Sequence, residues 1–433
     1  MSTQLKVQTP PYSGEVSKSG SSDLEMFAQR GNTRPEVQLL LACARTAVSE
    51  ATAERIRTLL RGNIDWAYVI ERAKRNHVTP LLCQSLNEVC HDLVPAEVLK
   101  ILRDYANANA HYNLYRTGEL IKLVRLFEAN GIPALPFKGP VLSLLAYRTL
   151  GLRDYGDLDI LVRPQDVLRT QRLLIVHGYH LITPASDSQT EPHFSPRNKD
   201  LIFASVDGRV RVELHWRLTG KHFDFPLDLD SLWERLDEVS LAGTMVRTLA
   251  PEDLLLYLCM HGSRHGWERL LWICDVAELL RTQPTMDWEW LSLEANRLGN
   301  SRTLSLGLIL ARDLLGLELS QQAWNKLHVD PAMESLALHL TESLFKDVEA
   351  DTGISYWHNI HLRMRERLID RLRLQLHYGW RYLRLILIPN ERDHAILGVP
   401  SALPFLYYLL RPFRLIGRFG LLELKKRAGR LNR

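Results

Sequence analysis

Over most of the chain, apolar residues recur at the spacing of amphipathic helices. The pattern begins at Pro35, continues through residues 65–80, where it predicts a helix ending at the proline, and returns from Pro251 onward. Residues 95–129 repeat it over many turns and predict one long helix, with Gly131 as its stop. The chain therefore has helical parts on both sides of a central part with a different pattern.

The central part opens with a strand, a turn and a helix. Residues 134–137 form a short apolar run that breaks at Lys138 and Gly139. Pro140 then opens a helical stretch over residues 141–150, because proline is tolerated at a first helical position. The run before the turn predicts a short buried strand.

A second apolar run follows, and it carries Asp157 and Asp159. Residues two apart in a strand point to the same side, so the two carboxylates share a face. Adjacent carboxylates repel each other, and a divalent metal such as Mg²⁺ is the usual reason for the arrangement. The alternative is a strand end with two solvated aspartates, and the pair alone does not decide between them.

A hairpin is predicted further along, from residues 200–206 and 210–216, which are joined at Asp207-Gly208. Its second strand alternates apolar residues with charged or polar ones, among them Glu213 and His215. Glu213 is either a solvated face residue or a third carboxylate beside the aspartate pair. His215, on the same face, is a weaker candidate for a substrate contact.

The order of these parts (strand, Lys-Gly turn, helix, Asp-x-Asp strand) resembles the nucleotidyltransferase fold of the polymerase-beta type. The Lys-Gly form of the turn, with Tyr147 and Arg153 ahead of the aspartates, looks like the bacterial uncharacterised nucleotidyltransferase family. It is also similar to the abortive-infection toxin nucleotidyltransferases.

The resemblance implies an Mg²⁺-dependent enzyme that moves a nucleoside monophosphate from a nucleoside triphosphate (NTP) to an acceptor hydroxyl, releasing pyrophosphate. Asp157 and Asp159 would bind two Mg²⁺ ions. Glu213 would complete the acceptor-side ion or help to deprotonate the acceptor. These three acids are thus the predicted catalytic and metal-binding residues.

Nucleotide binding is predicted at Lys138, Gly139 and Arg153. Gly139 would let the backbone approach the phosphates, and the two cations would pair with them. The sequence departs from the wider superfamily at Pro140, since the superfamily usually has Gly-Ser or Gly-Gly at this turn. A serine hydroxyl and one backbone N–H are thereby lost as phosphate donors.

A later stretch, from His261 to Asp275, resembles a second recurrent block of the family. We expect it to pack against the catalytic part, with Arg264 or His265 lining the nucleotide cleft. His261 and His265 have the spacing of a helical metal pair, but the glycines of His261-Gly-Ser-Arg-His-Gly-Trp267 predict an interrupted helix, and no third ligand is evident.

Basic residues are concentrated at the C-terminal end. Residues 361–433 hold 16 Lys and Arg against 5 Asp and Glu, a net charge of +11. Because the whole chain has a net charge of +4, the other residues together have a net charge of −7. An apolar run of about fifteen residues, 396–410, is too short and too interrupted by prolines to span a bilayer. Beside the basic cluster it suits an anionic membrane surface, or else it covers a core. RNA binding is a weaker hypothesis, because no nucleic-acid-binding module is recognisable.

The five cysteines are scattered and none forms a Cys-x-x-Cys pair, so neither a disulfide framework nor a zinc site is indicated. No signal sequence opens the chain, and we expect a cytoplasmic protein, with peripheral contact to the inner membrane surface as an extension of that expectation.

The predicted fold class is α+β: a small mixed sheet of the nucleotidyltransferase type between helical domains. The predicted boundaries are a disordered leader (1–34), a helical N-terminal domain (35–130), the core (131–246), a helical C-terminal domain (247–394) and an apolar and basic segment (395–433). Two alternatives to catalysis remain: a degenerate member that serves as a scaffold, and a membrane-surface accessory of cell-envelope or secondary-metabolite synthesis.

Overall fold

The computed structural model describes residues 34–182, 199–219, 229–327, 330–346, 354–388 and 405–411. Residues 183–198 and most of the predicted leader and of the segment 395–433 lie outside these ranges. The chain divides into two units, residues 1–350 and 351–433.

Helices dominate the first unit, as their spacing predicts. The first five are α1 (Pro35–Cys43), α2 (Glu50–Leu60), α3 (Trp66–Arg75), α4 (Thr79–Cys90) and α5 (Ala96–Ala129). The later ones are α6 (Gly139–Tyr147), α7 (Val167–Val176), α8 (Leu229–Glu234), α9 (Pro251–Arg264), α10 (Leu270–Thr282), α11 (Trp288–Leu298), α12 (Ser301–Leu315), α13 (Gln321–Lys326) and α14 (Pro331–Leu344).

Two sheets complete the first unit. The strands are β1 (Ala134–Pro136), β2 (Asp157–Val162), β3 (Tyr179–Leu181), β4 (Asp200–Ser205), β5 (Arg211–His215), β6 (Leu236–Leu241) and β7 (Thr244–Leu249). The larger sheet has the order β1-β2-β5-β4-β3, in which β2 and β5 are parallel and the other neighbours antiparallel. This mixed sheet among helices confirms the predicted α+β class.

One hydrophobic core lies between the long helix and the sheet. Leu120, Leu123 and Phe127 of α5 share one buried cluster with Leu158 and Ile160 of β2. Each fully buried side chain of this kind stabilises the fold by about 1.5–3 kcal/mol. Because alternate residues of β2 enter this core, the aspartates between them are directed to the other side of the sheet.

The prediction that a helix ends at Pro80 is wrong. Helix α3 ends at Arg75, and His77 adopts the left-handed backbone conformation, with φ at 57°, which breaks the helix. Pro80 instead occupies the first turn of α4. The side chain and carbonyl of the intervening Asn76 accept hydrogen bonds from the backbone of the residues that begin α10.

The interruption predicted at His261-Gly-Ser-Arg-His-Gly-Trp267 is also displaced, because α9 continues to Arg264. Gly262 is helical and packs under the indole of Trp267: a Cβ atom there would lie 2.5 Å from that ring. The glycine thus serves a close contact within a helix and does not end it.

The second unit contains α15 (Ile354–Met364) and α16 (Leu368–Leu387). His361 and Tyr378 join the two helices through a hydrogen bond of 2.8 Å, and His358 stacks on the same tyrosine ring. Across the parts of the chain that the structure describes, no helix combines the length and apolar character needed to cross a membrane.

Candidate active site

The predicted acids come together through the pairing of two parallel strands. β2 and β5 are in register with Asp157 beside Arg211 and Asp159 beside Glu213. Residues in register on neighbouring strands have side chains on the same face of the sheet. Asp159 and Glu213, which are 54 positions apart in the chain, therefore lie on one face.

His215 completes a tight group with two of the acids. Its Nε2 lies 3.1 Å from Asp159 Oδ1 and 3.6 Å from Glu213 Oε2. One ligand atom each from Asp159, Glu213 and His215 all lie within 4.8 Å of one another. Asp157 is not part of that group, although its strand places it two residues from Asp159.

Lys138 approaches the same face from the turn after β1. Its Nζ lies 3.5 Å from Asp159 Oδ1 and 5.2 Å from the ring centre of Tyr257. The backbone N–H of Phe137 donates to the carbonyl of Asp159 at 3.3 Å, which fixes the turn against β2. The lysine is thus held at the acids by the pairing of β1 with β2.

Gly139 is required by the backbone of this turn. Its φ is +52°, in the region that favours glycine, and a Cβ atom would lie 3.2 Å from the carbonyl oxygen of Asp157. Helix α6 begins at this residue, with Pro140 in its first turn. The turn can therefore pass close to the strand that carries the aspartates.

The charges in the group are unevenly stabilised. Burial opposes ionisation of Asp159, but Lys138 and the hydrogen bond from His215 hold the pKa of that carboxyl well below its usual range. Burial and the charge of Asp159 raise the pKa of Asp157, and the same two causes, with Asp157 added, raise the pKa of Glu213. Glu213 has its raised pKa even though Arg211 forms an ion pair with it at 3.4 Å.

One carboxylate oxygen of Asp159 is suited to bind a cation. Asp159 is 2% exposed, and its Oδ2 is buried without a hydrogen-bond partner among the residues that the structure describes. Buried carboxylate oxygens are normally paired, and an unpaired one commonly marks an ion or a functional site. Carboxylates and an imidazole are suitable ligands for a divalent cation.

Comparison with protein families gives this geometry its context. The family model of the uncharacterised nucleotidyltransferases matches residues 62–316, which is more than half of the chain. The chain belongs to the uncharacterised nucleotidyltransferase family. No curated protein matches it at a significant level. The match extends from the end of α2 to the end of α12 and includes every predicted site residue.

The place of Arg153 in this nucleotidyltransferase differs from that of Lys138. Arg153 is 5% exposed, and its guanidinium donates to both carboxylate oxygens of Asp275, at 2.8 and 2.9 Å. The hydroxyl of Tyr147 donates to the same carboxylate at 2.8 Å. These contacts join the turn before β2, helix α6 and helix α10.

The histidine block of the nucleotidyltransferase forms an aromatic wall next to Lys138. Tyr257 stacks on His261, and His261 and His265 both contact the ring of Trp272. Burial, with Arg264 and Lys138 nearby, lowers the pKa of His265 to about 3, and burial lowers the pKa of His261 well below its ordinary value. Both rings are therefore neutral at pH 7.

Asp275 and Tyr257 were not among the residues predicted to form the site, and His215 was predicted only as a weaker candidate for a substrate contact. His215 lies two residues after Glu213, so the strand alternation that selects the acid also places the histidine on its face. Asp275 and Tyr257 act through contacts between distant helices, for which local spacing provides no signal.

Proposed function

We propose that this nucleotidyltransferase moves a nucleoside monophosphate from an NTP to an acceptor hydroxyl and releases pyrophosphate. One observation carries the proposal: Asp159 and Glu213 lie in register on neighbouring parallel strands, beside Asp157, and a buried carboxylate oxygen of Asp159 has no partner among the described residues. Family membership supports the transfer of a nucleotidyl group in general.

The three acids are assigned to two Mg²⁺ ions. Asp157 and Asp159 would hold the ion that accompanies the triphosphate, and Asp159 and Glu213 the acceptor-side ion. Bound Mg²⁺ would neutralise charge on the triphosphate and lower the pKa of the acceptor hydroxyl. Glu213 is also placed to accept the proton of that hydroxyl, because burial and its acidic neighbours raise its pKa.

Lys138 and Gly139 are assigned to the triphosphate. The lysine would exchange part of its contact with Asp159 for a phosphate oxygen, and its charge is secured because the neighbouring acids raise its pKa despite burial. Gly139 leaves the backbone open to a close approach at the start of α6. Pro140 contributes no N–H, so in this assignment the lysine carries most of the phosphate binding.

For Arg153 we propose a positioning role in place of the phosphate contact that the resemblance implies. Two of its guanidinium nitrogens, Nε and Nη2, donate hydrogen bonds to Asp275. Its charge still acts on Asp157, whose pKa it lowers against the effect of burial. Arg153 would thus hold the turn before β2 and favour the ionised form of the first aspartate.

Two further proposals come from other features. Pro140, which removes a phosphate donor, favours a scaffold that has kept the fold without the activity.

The basic residues of the segment 395–433 favour contact with an anionic membrane surface. Flotation of the full chain and of residues 1–394 with phosphatidylserine vesicles tests the second: only the full chain should float, and equal behaviour of the two would contradict it.

Calorimetric titration with each NTP in the presence and absence of Mg²⁺ tests catalysis against the scaffold. We expect Mg²⁺-dependent binding by the wild type that becomes about tenfold weaker or more, or about 1.4 kcal/mol, in Asp157→Asn/Asp159→Asn. Asp104→Asn, an exposed aspartate on α5, is the matched control and should bind as the wild type. Binding that needs no metal, or that survives in the double variant, would contradict the proposed site.

A further inference from the structure

His215 is the one nitrogen donor in a group of acids, and it is enclosed. It is 1% exposed and packs its ring edge-on against Phe137, with ring centres 5.4 Å apart. Its Nε2 points to Asp159 and Glu213, while its Nδ1 lies 3.9 Å from Asp200 Oδ2. The imidazole therefore stands between carboxylates on both of its nitrogen sides.

Each neutral form of this imidazole leaves the lone pair of one nitrogen facing a carboxylate. If Nε2 carries the proton and donates to Asp159, Nδ1 is a bare acceptor that faces Asp200, and this nitrogen is buried without a hydrogen-bond partner among the described residues. If Nδ1 carries the proton and is directed to Asp200, the lone pair of Nε2 faces two carboxylates. A cation between Nε2, Asp159 and Glu213 resolves the second form.

The register of the sheet places a carboxylate near the far nitrogen, at 3.9 Å and therefore beyond hydrogen-bond distance in this structure. Asp200 of β4 is paired directly with His215 of β5. Lys199 forms an ion pair with Asp200 beside the ring. A carboxylate that accepts from the far nitrogen of a histidine is the usual outer partner of a metal-bound imidazole, because it fixes the ring and raises its basicity.

We infer that His215 is a ligand of the acceptor-side ion, with Asp159 and Glu213, and that Asp200 orients it. An imidazole in the donor set favours first-row transition metals over Mg²⁺, which prefers oxygen ligands. The acceptor-side ion is then a transition metal, while Mg²⁺ accompanies the triphosphate. This inference rests on the proposed function, and it changes the identity of one of the ions.

Electron spin echo spectroscopy of the full-length protein loaded with Mn²⁺ tests the inference directly. We expect a coupling from a directly bound nitrogen in the wild type and its loss in His215→Gln, whose amide oxygen can reach the position of Nε2. Calorimetry should show Mn²⁺ binding more tightly than Mg²⁺ to the wild type. It should also show a loss of about tenfold or more in Mn²⁺ affinity for Asp200→Asn, as for other outer partners.

A matched control is His180→Gln, which changes an exposed histidine on the edge strand β3 and should keep both the nitrogen coupling and the metal preference. Mn²⁺ bound by the wild type without nitrogen coupling would overturn the role of His215 and leave the proposed function standing. Absence of any divalent cation binding, with or without NTP, would overturn both. The wild-type spectrum needs no variant, so a poorly folded variant cannot obscure the result.

Discussion

Two buried aspartates in this protein have nearly equal exposure and opposite surroundings. Asp275 is 1% exposed, and both of its oxygens accept hydrogen bonds, from Arg153 and Tyr147. Asp159 is 2% exposed, and one of its oxygens is buried without a partner among the described residues. The first carboxylate is saturated by the protein and the second is not.

The difference separates a structural role from a functional one. A buried charge is tolerated when it is paired and hydrogen-bonded, and the network around Asp275 meets that condition with its own residues. At Asp159 the neighbouring acids add repulsion, which Lys138, His215 and Lys199 offset. Burial of Asp157 and Glu213 beside this carboxylate raises their pKa values, which costs stability, so we interpret the arrangement as serving a ligand that the protein binds.

The largest expected effect is on activity at the unsaturated aspartate. Asp159→Asn keeps the shape of the side chain and removes the charge that we assign to both ions. We expect nucleotidyl transfer to fall at least about 10³-fold, or roughly 4 kcal/mol in activation free energy. A rate assay on Asp159→Asn and Asp104→Asn checks this, and equal rates for the two variants would be incompatible with the assignment.

At the saturated aspartate the expected effect is on stability. Asp275→Asn leaves the buried Arg153 without its counter-charge, so the free energy of unfolding in urea should fall by about 3–5 kcal/mol. Lys122→Gln, which removes an exposed pair with Glu119 on α5, should leave the free energy of unfolding almost unchanged. If both substitutions cost the same, Asp275 is not the structural element that its contacts indicate.

The turn beside the unsaturated aspartate offers a smaller test. Gly139→Ala forces a side chain into the left-handed region and toward the carbonyl of Asp157, and should destabilise the protein by roughly 1–2 kcal/mol. Gly118→Ala, in the helix α5 with no atom within 4 Å of its added Cβ, should instead stabilise it by about 0.5–1 kcal/mol. Urea unfolding of both variants compares them, and a stabilising Gly139→Ala would contradict the observed backbone.

A pH series examines the aromatic wall of the site. Burial, with Arg264 and Lys138, lowers the pKa of His265 from 6.5 to about 3, so the unfolded chain takes up a proton there before the folded one does. The stability that this histidine contributes is present above pH 6.5 and is lost as the pH falls toward 3. Urea unfolding between pH 7 and 4 should show a shallower decline for His265→Gln than for the wild type. Identical slopes would contradict this, because they would show that the ring takes up a proton as readily in the folded protein as in the unfolded chain.

Much of the fold and part of the site could be predicted from local pattern. The Asp-x-Asp strand, the turn at Lys138-Gly139 and the hairpin around Asp207-Gly208 each have a signal within about ten residues. The alternation in β5 also places Glu213 on a polar face. The family resemblance is confirmed by the match to residues 62–316.

The remaining features depend on contacts between distant parts of the chain. The parallel register of β2 and β5 is set by packing of both strands against α5, and the pairing of Arg153 with Asp275 spans 122 positions. The hairpin of β6 and β7 was not predicted, although alternation and the Ala242-Gly243 turn were signals for it. Local pattern thus locates the acids but not the groups that pair with them.

The most direct test of the central claim follows labels from the NTP into an acceptor fraction of protein, RNA or small molecules. With wild-type protein, Mg²⁺ and Mn²⁺, we predict that label in the α-phosphate enters the product and that label in the γ-phosphate leaves as pyrophosphate. Asp159→Asn should abolish the transfer. Transfer of the γ-label, or α-label transfer that persists in Asp159→Asn, would contradict nucleotidyl transfer at this site.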